Sequence, residues 1–329
     1  MLCHRRNLCL LALAWAALPA APARAADLEK YLPDNTKLVV SMNLRQFLAS
    51  PLVRKHGPEL IAHFGTDALL AAAADDPAMR RAMREHRARL GKLLKDRREA
   101  LKLIGLLESV CTHFIVAGDP ANAEEPAIIV LGEWKKERLE GLLLLAGLFS
   151  PANVKVKKVG DMTVLESTGG EKFHLAAPED GVLIGSANKK DFEALVARVA
   201  AKARPKLSKE VRELLKKLDQ TRTVSMVGVI EDVQGTLTCD IMVEKGIRAR
   251  LATRAPSAEV AQLMLKGAQD GLENFKKMLA DRKELAFLMP ALKGAKLAVQ
   301  DSTLTGSLEL SPEAVAKMVQ LLIDLKVGN

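Results

Sequence analysis

The chain has 329 residues, with 49 lysines and arginines against 40 aspartates and glutamates, a formal net charge of +9. Apolar residues make up 49% of it, but aromatic residues only 3%. Stacking platforms for sugar rings or unpaired bases need aromatic faces, so carbohydrate binding and single-strand binding are disfavoured.

At the N-terminus, Arg5 and Arg6 precede an apolar stretch over 8–18, then Pro19 and a run of small residues ending Ala23-Arg24-Ala25. This order of charge, apolar core and A-x-A site is that of a secretory signal peptide. The stretch is shorter than the roughly 20 residues a spanning helix needs. Cleavage is expected after Ala25, giving an exported soluble protein, periplasmic or extracellular. Arg5-Arg6 also loosely fits a twin-arginine signal, though an ordinary n-region is the simpler reading. Cleavage removes 25 residues, including Arg5, Arg6 and Arg24, and leaves 304 residues with 46 basic and 40 acidic side chains, a net +6. That length allows one large domain or two smaller ones.

Along the mature chain, the turn-rich Leu32-Pro33-Asp34-Asn35-Thr36 leads into a strand over 37–43. Helical patterning follows from 51 to 105, with breaks expected at Gly57-Pro58 and at Asp75-Asp76-Pro77. The longest piece, 77–104, starts with a capping Asp76 and first-turn Pro77. It carries ten basic residues against Glu85, Asp96 and Glu99, a local +7 that exceeds the net charge of the whole mature chain. Strands are expected at 111–117 and 127–131 as a hairpin, then a helix over 135–149 whose Leu142 to Leu145 run points to burial on most sides. Short strands at 154–158, 162–167, 172–176 and 182–185 are separated by Gly160-Asp161, Gly169-Gly170 and Asp180-Gly181, glycines that supply the positive φ of tight turns. Helices over 189–203 and 209–218 flank Pro205. Strands at 224–230, 236–243 and 247–253 lead into a helix over 257–279 and a further helical piece over 282–292. Strands at 296–301 and 304–310 precede a closing helix over 312–325.

Dominant hairpins predict an α+β fold with a largely antiparallel sheet and helices packed on one face. A β-α-β-β order can be traced twice, which is consistent with two related halves, 26–205 and 206–329.

The chemistry-bearing residues form few patterns. The mature histidines, at 56, 63, 86, 113 and 174, have no zinc-ligand spacing, and neither a nucleophile elbow nor a glycine-rich phosphate loop occurs. Ser186-Ala187-Asn188-Lys189 matches the serine–lysine pattern of penicillin-recognising enzymes without its other elements, and a helix cap is the simpler account. No catalytic residue, metal ligand or cofactor is therefore expected. Cys111 and Cys239 remain in the mature chain, either as two buried thiols or as a disulfide. The helix over 77–104 is a solvated arginine-rich face or an anion-docking face, with Arg80, Arg84, Arg87 and Arg98 as its candidate contacts. Its partner would be anionic lipid or an acidic protein surface; specific nucleic-acid recognition is disfavoured.

Leu32-Pro33-Asp34-Asn35-Thr36-Lys37-Leu38-Val39-Val40-Ser41-Met42-Asn43-Leu44-Arg45-Gln46, followed by Ser50-Pro51-Leu52-Val53, resembles an uncharacterised family of exported bacterial α+β proteins. The resemblance implies export and fold, and transfers no site. The leading expectation is a non-catalytic exported binding or interaction protein. The alternatives are a periplasmic carrier of an apolar or lipid ligand, which a sizeable apolar cavity would favour, and a hydrolase without recognisable motif.

Overall fold

The computed structural model describes residues 25–60, 97–122, 126–149, 154–167 and 173–327. A 3-10 turn at Ala25–Tyr31 leads to strand β1 (Leu38–Asn43). Helices α1 (Leu44–Ala49), α2 (Pro51–Leu60) and α3 (Arg97–Val110) follow, and then the hairpin β2 (Cys111–Gly118) and β3 (Ala127–Gly132). Helix α4 (Lys136–Phe149) precedes β4 (Val154–Val159), β5 (Met162–Ser167), β6 (His174–Ala176) and β7 (Val182–Ser186). Helices α5 (Lys189–Ala200) and α6 (Lys209–Leu215) lead to β8 (Val224–Ile230), β9 (Gly235–Val243) and β10 (Ile247–Arg254). The long α7 (Ala258–Ala280), α8 (Met289–Gly294), β11 (Lys296–Gln300), β12 (Thr303–Leu310) and α9 (Pro312–Val327) complete the order.

Among the described residues, twelve strands join one antiparallel sheet in the order β11-β12-β10-β9-β8-β1-β2-β3-β7-β6-β5-β4. At its middle β1 pairs with β8, Val39 opposite Val227 and Ser41 opposite Ser225. Reading outward from that pair, both flanks obey one rule. Two successive strands continue the sheet, the chain leaves through helix, and the last strand of the excursion returns beside the strand it left: β7 beside β3, β12 beside β10. Strands from 26–205 and from 206–329 thus belong to a single sheet.

The α+β antiparallel architecture is the expected one, but the helices are shared between the two faces of the sheet. Strand β5 shows why: Met162, Thr163, Val164 and Leu165 are all buried, so both sides of it need cover. On one face Val39, Ile115, Ile129, Val164, Ile184 and Val227 pack against Phe192, Leu195 and Val196 of α5 and Val211 and Leu214 of α6. Each such side chain contributes about 1.5–3 kcal/mol on burial. Leu165, next in the chain to Val164, meets Leu143 of α4 on the other face. Within the leucine run, Leu143 is buried and Leu144 is 45% exposed.

Local signals hold where they are chemically specific. Gly160 (φ +60°) and Gly181 (φ +72°) take the left-handed conformation at the turns before β5 and β7. Asn188 caps α5 by accepting from the Asp191 N–H, and Ser208, Ser257 and Ser311 cap α6, α7 and α9 in the same way. Two boundaries differ from expectation. Helix α2 runs through Gly57 and Pro58, because Gly57 lies against Val53 and Ile104, where a Cβ would come within 3.1 Å of each. Helix α3 continues past residue 104 to Val110, with Gly105 in open space. Residues 77–96 lie outside the described residues.

Candidate functional site

The residues singled out from sequence are scattered. Arg80, Arg84 and Arg87 lie outside the described residues, and Arg98 is exposed on α3. Cys111 and Cys239 are free thiols. They sit on β2 and β9 with β1 and β8 between them, more than about 14 Å apart by strand spacing alone at about 4.8 Å per strand, and Cys239 lies in register with Val116 rather than with Cys111. A disulfide needs Cα atoms within about 7 Å, so the bridge is not formed. Burial raises both thiols above their ordinary pKa, and the charge of Asp240 adds to the effect at Cys239. They are therefore protonated and weakly nucleophilic at neutral pH.

The other chemistry-bearing groups have structural partners. The Ser186 hydroxyl accepts from the Asn188 N–H at 3.1 Å, Asn188 caps α5, and the Lys189 ammonium donates to Glu166 at 2.6 Å. Each member of the serine–lysine pattern is engaged elsewhere. His113 lies 3.3 Å from the Gln220 carbonyl through Nε2, and burial pushes its pKa down against that contact. His174 is buried against the Phe192 ring at 5.4 Å and is likewise pushed down by burial. Among the described residues, no group of three or more His, Cys, Asp or Glu side chains is placed to hold a metal ion.

The residues that carried the family resemblance hold the start of the fold. The Arg198 guanidinium grips Asp34 and the Leu32 carbonyl, the Thr36 hydroxyl donates to the Pro33 carbonyl at 2.8 Å, and Asn43 caps α1 while donating to the Gln220 carbonyl.

Three concavities stand out. A polar cleft of about 180 Å3 beside Asn188 and Asp119 is lined by groups already committed: Asn188 to its cap, Asp119 to Lys37 at 2.8 Å. A cleft of about 520 Å3 between α6 and the β9–β10 ends carries charges of both signs, among them Lys209, Glu210, Glu213, Lys217 and Arg254. The third is different in kind. It is a trough of about 410 Å3 between α7 and the sheet, lined almost entirely by carbon.

The trough follows from two periodicities. On the strands, register places Leu297 opposite Gly306, Gly306 opposite Leu251 and Leu251 opposite Cys239, a line of apolar positions on one face. The same line runs on through Met226, Val40, Val116, Ile128, Gly185, Leu175, Leu165 and Val156, one residue on each remaining strand. Arg250 and Ser307 border the trough through their backbone, since alternation turns their side chains to the opposite, solvated face. On α7, Ala268, Gly271, Leu272 and Phe275 recur at helical spacing along the trough, while Ala261 and Leu279 are buried. Leu292 and Ala295 also line it.

The helix is more apolar than its contacts require. Phe275 is 41% exposed, Met278 48% and Leu263 70%, and Leu251 across the trough is 37% exposed. Gly267 and Gly271 stand mid-helix with nothing within 4 Å of the place a Cβ would occupy. Sequence reasoning found α7 and missed this site. The available signal was the pair of glycines, since each costs a helix interior about 1 kcal/mol relative to alanine.

No protein-family model matches the chain, and no curated protein matches it. Among solved structures, crystal form I of TP0453 is similar with a TM-score of 0.46 and 10% identity, covering 92% of this chain and 99% of that one. Crystal form IV of the same protein gives 0.42 and 10%, covering 93% and 98%. The function is therefore read from this chain's own residues. Among them, no described helix is long and apolar enough to cross a membrane.

Proposed function

We propose that the protein is an exported, non-catalytic binding protein that carries an apolar ligand in the trough between α7 and the sheet. The observation that supports this most directly is the carbon-lined volume of about 410 Å3. Ligand pockets typically enclose about 300–1,000 Å3 with mainly apolar walls. Exposed Phe275, Met278 and Leu251 beside it extend the apolar surface, and surface of that kind marks binding sites more often than idle exterior. Export rests on the tripartite N-terminus ending at Ala25. Ser186 and Lys189, the groups a hydrolase of the serine–lysine type would use, serve a turn hydrogen bond from the Asn188 N–H and an ion pair with Glu166 instead, which supports binding over turnover.

The test is to purify the protein from its own envelope and examine it by native mass spectrometry and N-terminal sequencing. The expected result is a chain beginning at Ala26 or Asp27 that carries an apolar small molecule released by organic solvent. A chain that retains Met1 would overturn export. Protein that arrives without ligand and also fails to bind a fluorescent fatty acid would overturn the carrier reading.

A further inference from the structure

We infer that the signal peptide is removed before the mature N-terminus docks, so that the chain is exported unfolded and its own fold then closes the processing site; this rests on the export reading above and specifies the state in which the chain is cut. The expected cut, between Ala25 and Ala26, falls at the start of the 3-10 turn Ala25–Tyr31. Leu28, the third residue after it, is already buried at 7% exposure, Tyr31 is at 2% and Leu32 at 0%. All three belong to the main core, with Val39, Phe192, Leu195 and Val211. A cleft that binds a peptide through its main chain takes it as an extended strand. The turn folds back on itself instead, the Leu32 N–H donating to the Glu29 carbonyl at 3.1 Å. The residues just past the cut therefore cannot extend into a peptidase without pulling Leu28, Tyr31 and Leu32 out of the core.

Polar contacts hold the same segment. The Glu29 carboxylate accepts from Arg212 at 2.9 Å, and the Lys30 ammonium donates to Glu179 at 2.9 Å. Arg198, with only 12% of its side chain exposed, grips Asp34 and the Leu32 carbonyl, and the Lys206 N–H donates to Asp34 at 3.1 Å. These partners come late in the chain. Glu179 stands 149 residues after Lys30, and Arg212 stands 183 residues after Glu29. A segment that crosses the membrane first therefore has nothing to dock on until α5 and α6 have followed it. In that interval the Ala25–Ala26 bond is open to a peptidase. A route that carries folded protein, the alternative that Arg5-Arg6 raises, would deliver the segment already docked.

The experiment uses the full chain from Met1 and a purified signal peptidase in detergent. One sample is diluted from urea straight into the peptidase; the other is refolded first, with folding checked by circular dichroism. The unfolded sample should be cut after Ala25. The refolded one should be cut at least about tenfold more slowly, since the docked segment must open before the peptidase can act. Insertion of Gly-Ser-Gly-Ser-Gly-Ser between Ala26 and Asp27 moves the bond away from the docked segment and should restore rapid cutting of refolded protein. In cells, the paired change Arg5→Lys and Arg6→Lys, which a twin-arginine route does not tolerate, should leave processing as in wild type. Equal cutting of refolded and unfolded chain would overturn the inference, and so would slow cutting that the insertion fails to relieve. Loss of processing in the paired lysine variant would overturn export of the unfolded chain. Should the full chain fail to refold, pulse labelling in cells decides: cleavage should come before resistance to added protease, and the reverse order would overturn the inference. If no sample is cut and exported protein retains Met1, the export reading itself fails.

Discussion

Gly132 ends β3 with the indole of Trp134 packed across the place where a Cβ would stand. A methyl group there would fall inside the ring, and Trp134 is buried at 4% exposure, so the ring has little freedom to move aside. The backbone on both sides is also tied down. The Gly132 N–H donates to the Gly181 carbonyl at 2.9 Å, and the Gly181 N–H donates to the Trp134 carbonyl at 2.8 Å. Gly132→Ala should therefore destabilise by about 1–3 kcal/mol, the usual cost of overpacking a rigid site. Urea unfolding followed by Trp134 fluorescence reads both the loss and any change in the ring's surroundings. Trp134 is the sole tryptophan after cleavage at Ala25, so the signal is unambiguous. An unchanged midpoint would mean that the indole rotates away at no cost. At the same scale, Ser186 and Asn188 organise the entry to α5, and the Asn188 cap is worth about 1 kcal/mol.

At the scale of the element, α7 combines features that pull in opposite directions. Its Ser257 cap, acidic first turn at Glu259 and basic last turn at Lys277 all favour helix. Gly267 and Gly271 oppose it, with no packing to compensate them. Gly267→Ala should raise stability by about 0.5–1 kcal/mol, since the added Cβ meets nothing and the unfolded chain loses freedom. Thermal or urea denaturation would measure it, and a loss of stability would show that Gly267 has a contact the helix needs. The edge strands show a different balance. Strand β4 at one edge carries Lys155, Lys157 and Lys158, charges that discourage pairing with another chain. Lys157 also reaches Glu166 and Glu193, which ties that edge to α5.

For the whole molecule, the buried His174 and the half-buried His113 couple stability to pH. Both have folded-state pKa values pushed below the ordinary 6.5, chiefly by burial; Arg45 adds to the effect at His113, and Lys189 and Lys157 at His174, against Glu166 and Glu193. The unfolded chain therefore binds more protons than the native one once pH falls through 6.5, and stability must drop as acid is added. It should be fully present above that value and decline below it, before the depressed carboxylates such as Asp119, Asp180 and Glu166 begin to protonate at lower pH. Urea midpoints at several pH values from neutral downward would show this decline. His174→Gln should flatten the slope over that window, whatever its effect on absolute stability. A slope identical to wild type would mean that His174 accepts its proton in the native state.

Signals confined to a few neighbouring residues could be read without a structure. Alternation and tight-turn glycines marked nearly every strand, including the left-handed Gly160 and Gly181, and polar-then-helix junctions marked the caps at Asn188, Ser257 and Ser311. From these follows an antiparallel α+β chain. Strand order is different in nature. That β1 lies beside β8, that β7 returns to β3 and β12 to β10, and that α5 and α4 cover opposite faces all depend on contacts between residues far apart in sequence. Helix α2 passing through Gly57-Pro58 is a case where such a contact, with Ile104, overrides a local break. The trough is the clearest example. Cys239, Gly271 and Gly306 come from three separate elements, and only register and helix docking bring them to one volume. A period of two or of 3.6 residues tells which side of an element is apolar. Which other element that side meets, and how much space is left between them, is decided by packing across the whole fold.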